Sequence, residues 1–135
     1  MVGIDLEYLG DLHCRAVHGP SGTVVETDAP KDNQGRGESF SPTDLVATAL
    51  GGCILTILGI QARTLGLKLE GTTARVEKEM TTEGPRRIGR LTVHVHVPVE
   101  LDEVTKVKLE RAAHTCPVHK SLHPEIEKPI EFTWG

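Results

Sequence analysis

Apolar and polar residues alternate from the start of the chain. Val2, Ile4, Leu6 and Tyr8 recur at a period of two, which predicts a strand over Val2–Tyr8. After the turn signal Gly10-Asp11 the pattern predicts a second strand, Leu12–Val17. The turn-rich run His18-Gly19-Pro20-Ser21-Gly22 then leads into a short β-branched strand, Thr23–Thr27. Periodicity disappears from Asp28 to Ser41, so that segment is predicted to be a long loop. Loops of that length in compact domains are usually functional or mobile.

Ser41-Pro42-Thr43-Asp44 opens a helix. Ser41 suits the N-cap, Pro42 the first helical position, and Asp44 the positive end of the helix dipole. The helix is predicted to run to about Leu65, with Gly66 as C-cap, a length of about 36 Å at 1.5 Å per residue. Its apolar residues lie nearly all round the axis, which predicts cover on most sides. The uncharged stretch Leu45–Ala62 approaches membrane-spanning length. Thr48, Thr56, Gln61 and three glycines interrupt it, so it reads as the buried helix of a soluble protein. Gly51-Gly52 inside a helix costs about 1 kcal/mol per residue relative to Ala. Close approach of another backbone, such as a partner's equivalent helix, would account for it.

Two longer strands follow, Leu69–Met80 and Arg87–Val99, joined by a hairpin at Thr81-Thr82-Glu83-Gly84-Pro85. In the second, Leu91, Val93, Val95, Val97 and Val99 occupy one face and Thr92, His94 and His96 the other. Asp102–His114 reads as an amphipathic helix with Val104, Val107, Leu109 and Ala112 as its apolar positions. Pro117–Leu122 is a short helix and Ile126–Trp134 a last strand. The order βββ-α-ββ-α-α-β is that of an α+β fold with mostly antiparallel pairing, in one domain over residues 1–135. A chain of 135 residues and 14.7 kDa is too small to bury such a helix by itself, which predicts an intimate homodimer.

Composition narrows the function classes. Fifteen Lys and Arg against 19 Asp and Glu leave a net charge of −4 with no basic block, which argues against nucleic acid and against an anionic membrane. Four aromatic residues (Tyr8, Phe40, Phe132, Trp134) are too few for a base-stacking platform. The first residues carry no basic segment followed by an apolar run, so a cytoplasmic location is expected, and the three cysteines read as reduced thiols.

The chemistry-bearing residues are Cys53, in the middle of the long helix, and Cys116, which precedes Pro117. With Pro117 at the first helical position Cys116 falls at an N-cap, where unpaired amides favour a thiolate, and His114, His119 and Lys120 are close in sequence. Each cysteine could equally be a small buried hydrophobe. If the fold brings them together across the 62 intervening residues, they make a peroxidatic and resolving pair. A zinc site from His114, Cys116 and His119 with Cys53 or His123 has suitable ligand types but no established spacing. His94 and His96 on one strand face read as exposed strand histidines, and Cys14 as a structural bystander. No phosphate loop or nucleophile elbow is present, and no cofactor or metal is predicted.

Ser41-Pro42-Thr43-Asp44-Leu45, followed by Ala49-Leu50-Gly51-Gly52-Cys53 and later by Cys116-Pro117-Val118-His119, resembles the OsmC/Ohr family. Gly22-Thr23-Val24-Val25-Glu26-Thr27-Asp28 and the element order match as well, so the resemblance covers almost the whole chain. It is nearer to the OsmC-like branch with the Leu-Gly-Gly-Cys helix. The resemblance implies an intertwined α+β homodimer with two interfacial sites and thiol-dependent reduction of organic hydroperoxides, with an external dithiol as reductant. It makes Cys53 the peroxidatic cysteine and Cys116 the resolving one. Family members carry a glutamate where this chain has Thr43, beside Asp44, and an arginine where it has Pro20. Arg36, in the Gly35-Arg36-Gly37 loop, and Arg15 are the candidate substitutes. The rival reading is a non-catalytic protein that binds an apolar or electrophilic small molecule in the same interfacial pocket.

Overall fold

The computed structural model describes all residues from Met1 to Gly135. The chain forms two compact units, Met1–Val46 and Ala47–Gly135.

The first unit is a three-stranded antiparallel sheet in the order β1 (Ile4–Gly10), β2 (His13–His18), β3 (Val24–Asp28). Each strand lies one or two residues later than its apolar pattern predicts. The first turn explains the offset: Gly10, Asp11 and Leu12 all have positive φ, so the reversal consumes Leu12. Ile4, Leu6 and Tyr8, the predicted apolar face of β1, are exposed in the single chain.

The loop after β3 is a built structure. A single 3-10 turn, Lys31–Asn33, lies within it, and the amides of Gly35 and Gly37 donate to the carbonyls of Pro30 and Ala29. A Cβ on Gly35 would overlap the Ala29 carbonyl, so only glycine fits there. The chain then returns to β3, where the Glu38 amide donates to Asp28 Oδ2 at 3.0 Å and the Ser39 hydroxyl to the Glu26 carbonyl at 2.9 Å. The Glu38 amide, joined by the charge of His13 and the amides of Arg36 and Ala29, holds the Asp28 carboxyl below the usual carboxylate range against the opposing effect of burial.

Helix α1 (Pro42–Leu65) has the predicted bounds. Its start is a reciprocal cap: the Asp44 amide donates to Ser41 Oγ at 3.0 Å, and the Ser41 amide donates to Asp44 Oδ2 at 2.9 Å. Gly66, with φ +69°, ends it. By length and composition α1 could cross a membrane. Ala47, Leu50, Gly51, Ile54, Leu58 and Ala62 nevertheless form a buried stripe, as in a core helix. Cover on most sides is not achieved within one chain, since Ile60 remains 53% exposed.

The second unit carries a sheet ordered β4 (Thr73–Met80), β5 (Ile88–Val97), β6 (Ile130–Trp134). Strands β4 and β5 pair antiparallel, but β5 and β6 pair parallel. A parallel neighbour needs a crossover, and residues 98–129 supply it with α2 (Glu103–Ala113) and α3 (Pro117–Ser121). Three of the predicted strand ends were too generous. Gly71, at φ +90°, delays β4, and Pro98 and Pro129 lack the N–H that a ladder requires, so β5 stops before one and β6 starts after the other. On β5 the predicted face is the core: Leu91, Val93, Val95 and Val97 are buried. Helix α2, capped by Asp102 Oδ1 accepting the Thr105 amide at 2.7 Å, buries Leu109, Ala112 and Ala113 and leaves Val104 and Val107 exposed.

One glycine of the α1 pair has a cause within its own chain. A Cβ on Gly51 would come within 2.8 Å of Val76 Cγ2, so this glycine lets the helix meet β4 of its own chain, whereas Gly52 has open space around it. Gly51→Ala is expected to destabilise the fold by about 1–3 kcal/mol through overpacking, despite the better helix propensity of alanine. Urea denaturation checks this, and Gly51→Ala combined with Val76→Ala should show a coupling energy of about 0.5–3 kcal/mol.

Candidate functional site

Cys53 stands on α1 two residues after the Gly51 contact, and Cys116 is the N-cap of α3. The fold brings the two sulfurs together: the Cys116 thiol is hydrogen-bonded to Cys53. Both are free thiols, Cys116 buried and Cys53 partly exposed. Cys116 has extended backbone (φ −62°, ψ 140°), and its sulfur accepts the His119 amide at 3.2 Å, as an N-cap side chain does.

The two thiols are not equivalent. The N-cap position was expected to favour a Cys116 thiolate. Burial outweighs it and pushes the thiol above its ordinary value; the His119 amide pulls the other way, and the bond to Cys53 adds to the rise. That bond favours protonated Cys116, so its S–H donates toward the Cys53 sulfur. Nor is a cation favoured at His119. His119 is held below the ordinary imidazole range by burial first, then by Lys128, His114 and Lys120, and its ring packs edge-on against His114 at 5.7 Å. The arrangement therefore pairs a partly exposed cysteine with a buried neutral thiol in hydrogen-bond contact.

The other sequence-predicted residues lie in the first unit. Thr43 and Asp44 belong to the helix cap, with Thr43 Oγ1 3.2 Å from Ser41 Oγ and the Asp44 carboxylate bound to the Ser41 amide. Arg15 is exposed on β2, in register with Glu7 and Glu26. Arg36 projects from the glycine loop and makes a 3.5 Å ion pair with Glu38.

His94 is bracketed by Glu77 and Glu131, each at 2.8 Å, and His96 bonds to Thr133 at 2.7 Å. Cys14 faces Tyr8 and Thr27 in the sheet register. In the second unit an open groove of about 520 Å³ runs along the C-terminal half of α1, lined by Leu55, Leu58, Gly59, Ile60 and Leu67, and neither Cys53 nor Cys116 lines it.

The cysteine–histidine zinc cluster does not form. The group whose ligand atoms do converge is His13, Asp28 and Glu38, all within 4.8 Å of one another. Sequence reading passed over it, although a signal existed. Closing the β2–β3 hairpin about its turn pairs His13 with Asp28, and Glu38 comes back through the loop.

A family model described as "OsmC-like protein" matches residues 35–131. Among solved structures, a Psychrobacter arcticus protein described as an osmotic stress induced and detoxification response protein is 44% identical, with TM-score 0.93 over 98% of this chain and 96% of that one. An organic hydroperoxide resistance protein OsmC from Legionella pneumophila (16% identical, TM-score 0.79, 98% and 96% covered) shares the fold. So does the organic hydroperoxide resistance protein OhrB of Bacillus subtilis (17%, TM-score 0.74, 98% of each chain). No curated protein matches the chain.

The raised Cys116 value has a thermodynamic consequence. The folded state holds this proton more tightly than the unfolded chain, so the stabilisation is fully present below the ordinary thiol value of 9.0 and is lost as pH rises above it. Denaturation midpoints should fall above about pH 9, and Cys116→Ala should flatten that limb.

Proposed function

This chain belongs to the OsmC-like protein family, and we propose that it is a thiol-dependent peroxidase reducing organic hydroperoxides through Cys53 and Cys116. One observation carries the reading: the buried, protonated thiol of Cys116 in hydrogen-bond contact with the more accessible sulfur of Cys53. The name of the Psychrobacter relative, with its detoxification response, and those of the hydroperoxide resistance proteins support the same direction.

The Cys53 thiolate attacks the terminal peroxide oxygen. An S–O bond forms, the O–O bond breaks, and the leaving alkoxide takes a proton to become the alcohol. Cys53 is left as a sulfenic acid. The Cys116 sulfur then attacks the Cys53 sulfur, forming the disulfide as the hydroxyl leaves with the Cys116 proton as water. An external dithiol reduces the disulfide by exchange and restores both thiols. A neutral Cys116 suits the second role, because a competing thiolate beside Cys53 would oppose ionisation of the nucleophile.

Arg36 is the favoured activating cation, since its long, exposed pair with Glu38 is weak enough to be exchanged. Arg15, flanked by Glu7 and Glu26, is the second candidate, and Thr43 and Asp44 act through the helix start that carries Cys53. The working unit is a homodimer in the cytoplasm with the two sites at its interface, which would cover the apolar residues Ile4, Leu6, Tyr8 and Ile60 that one chain leaves exposed.

With cumene hydroperoxide and dithiothreitol, the protein is expected to consume peroxide. Cys53→Ser should lower the rate by at least about 1000-fold. Cys116→Ser should keep the first step and accumulate a Cys53 sulfenic acid that dimedone traps. Stoichiometric retention of an apolar ligand with no thiol oxidation would instead favour the non-catalytic binder. Sedimentation should give about twice the 14.7 kDa chain mass, reduced to one chain mass by Leu6→Glu.

A further inference from the structure

The geometry points to a second site, remote in sequence from both redox cysteines: His13, Asp28 and Glu38 form a three-ligand site for a divalent first-row transition-metal ion.

His13 is already fixed as a metal ligand would be. Its Nδ1 lies 2.8 Å from the Asp11 carbonyl oxygen, which can only accept, so Nδ1 carries the hydrogen. Nε2 is thereby turned toward the two carboxylates. Metal-binding histidines are oriented in this way, by donation from the other ring nitrogen to a carbonyl or carboxylate.

Asp28 supplies the independent observation. Its side chain is fully buried, and while Oδ2 accepts the Glu38 amide, Oδ1 is buried without any hydrogen-bond partner. A buried carboxylate oxygen left in that condition is costly, and few native structures retain one without a reason. Oδ1 lies 3.7 Å from His13 Nε2, and Glu38 Oε2 lies 3.8 Å from the same nitrogen. Both distances are too long for hydrogen bonds. They are close to the roughly 3.4 Å that separates two ligands held about 2.1 Å from one tetrahedral ion.

The donor set selects the ion. One imidazole and two carboxylates neutralise a dication and suit zinc, manganese or iron(II) better than calcium or magnesium, which prefer oxygen alone. Arg36 engages the other oxygen of Glu38, Oε1, at 3.5 Å on an exposed surface, so Oε2 stays available. The loop geometry serves the site as well, because the Gly35 and Gly37 turns return Glu38 to the end of β3.

The test uses the full chain after dialysis against a chelator. Titration with Mn²⁺, which has little affinity for thiolates, should give one ion per chain by calorimetry. Co²⁺ should give a d–d spectrum with no thiolate charge-transfer band. Loss of a mere supporting partner of a ligand weakens metal affinity about 10–100-fold, so His13→Ala and the surface change Glu38→Gln should each weaken binding by more than about tenfold. Cys53→Ser with Cys116→Ser should leave it intact. Neither His13 nor Glu38 is buried, and circular dichroism verifies that the variants fold. Absence of binding at millimolar Mn²⁺ and Co²⁺, binding unchanged in His13→Ala, or a thiolate band lost with the cysteines would each overturn the proposal.

Discussion

The contact between Gly51 of α1 and Val76 of β4 is the constraint on which the second unit turns. A helix reaches a strand this closely only where it presents no side chain, since any Cβ at position 51 would collide with a stiff β-branched neighbour. The contact fixes both the height of α1 over the sheet and its rotation about its own axis. Leu50, Ile54 and Leu58 then fall into the core that β5 and α2 also fill. Cys53 follows two residues later and is carried to the rim of that core. Cys116 lies between α2 and α3, within the crossover that returns the chain to β6.

The chemical character of the cysteine pair follows from where each sulfur sits in that core. A helix N-cap lowers a thiol pKa when the sulfur is near water, but complete burial opposes any charge, and here burial wins. The same effect holds His119 below the ordinary imidazole range, so this ring does not favour a positive charge beside the sulfur. What remains is an asymmetric pair, one sulfur accessible and one held as the proton-bearing thiol. That asymmetry is the division of labour the proposed cycle needs.

The first unit is organised by polar closure rather than by a core. Its buried side chains include Thr27, Asp28 and Ser41, while most of its large apolar residues face outward. Its long loop is held by backbone bonds and by a buried carboxylate rather than by packing. Apolar strand faces without cover, polar groups at the centre and a loop built around them describe a unit held by hydrogen bonds more than by packing.

Several features were legible in the amino-acid order alone because they are local. The period-two stripe of β5, the Ser41–Asp44 cap, the glycine that stops α1, the Cys116-Pro117 helix start and the sequence of elements all rest on residues a few positions apart. What only the tertiary structure decided depends on residues far apart in the chain. The parallel pairing of β6 follows from the crossover, and the role of Gly51 from Val76. The protonation of Cys116 follows from burial, the meeting of two sulfurs 63 positions apart from the way α1 and α3 are carried to one another, and the convergence of His13, Asp28 and Glu38 from hairpin register and loop closure. Local propensities act through neighbouring backbone and caps, whereas proximity, desolvation and register are properties of the packed chain and exist only once it has folded.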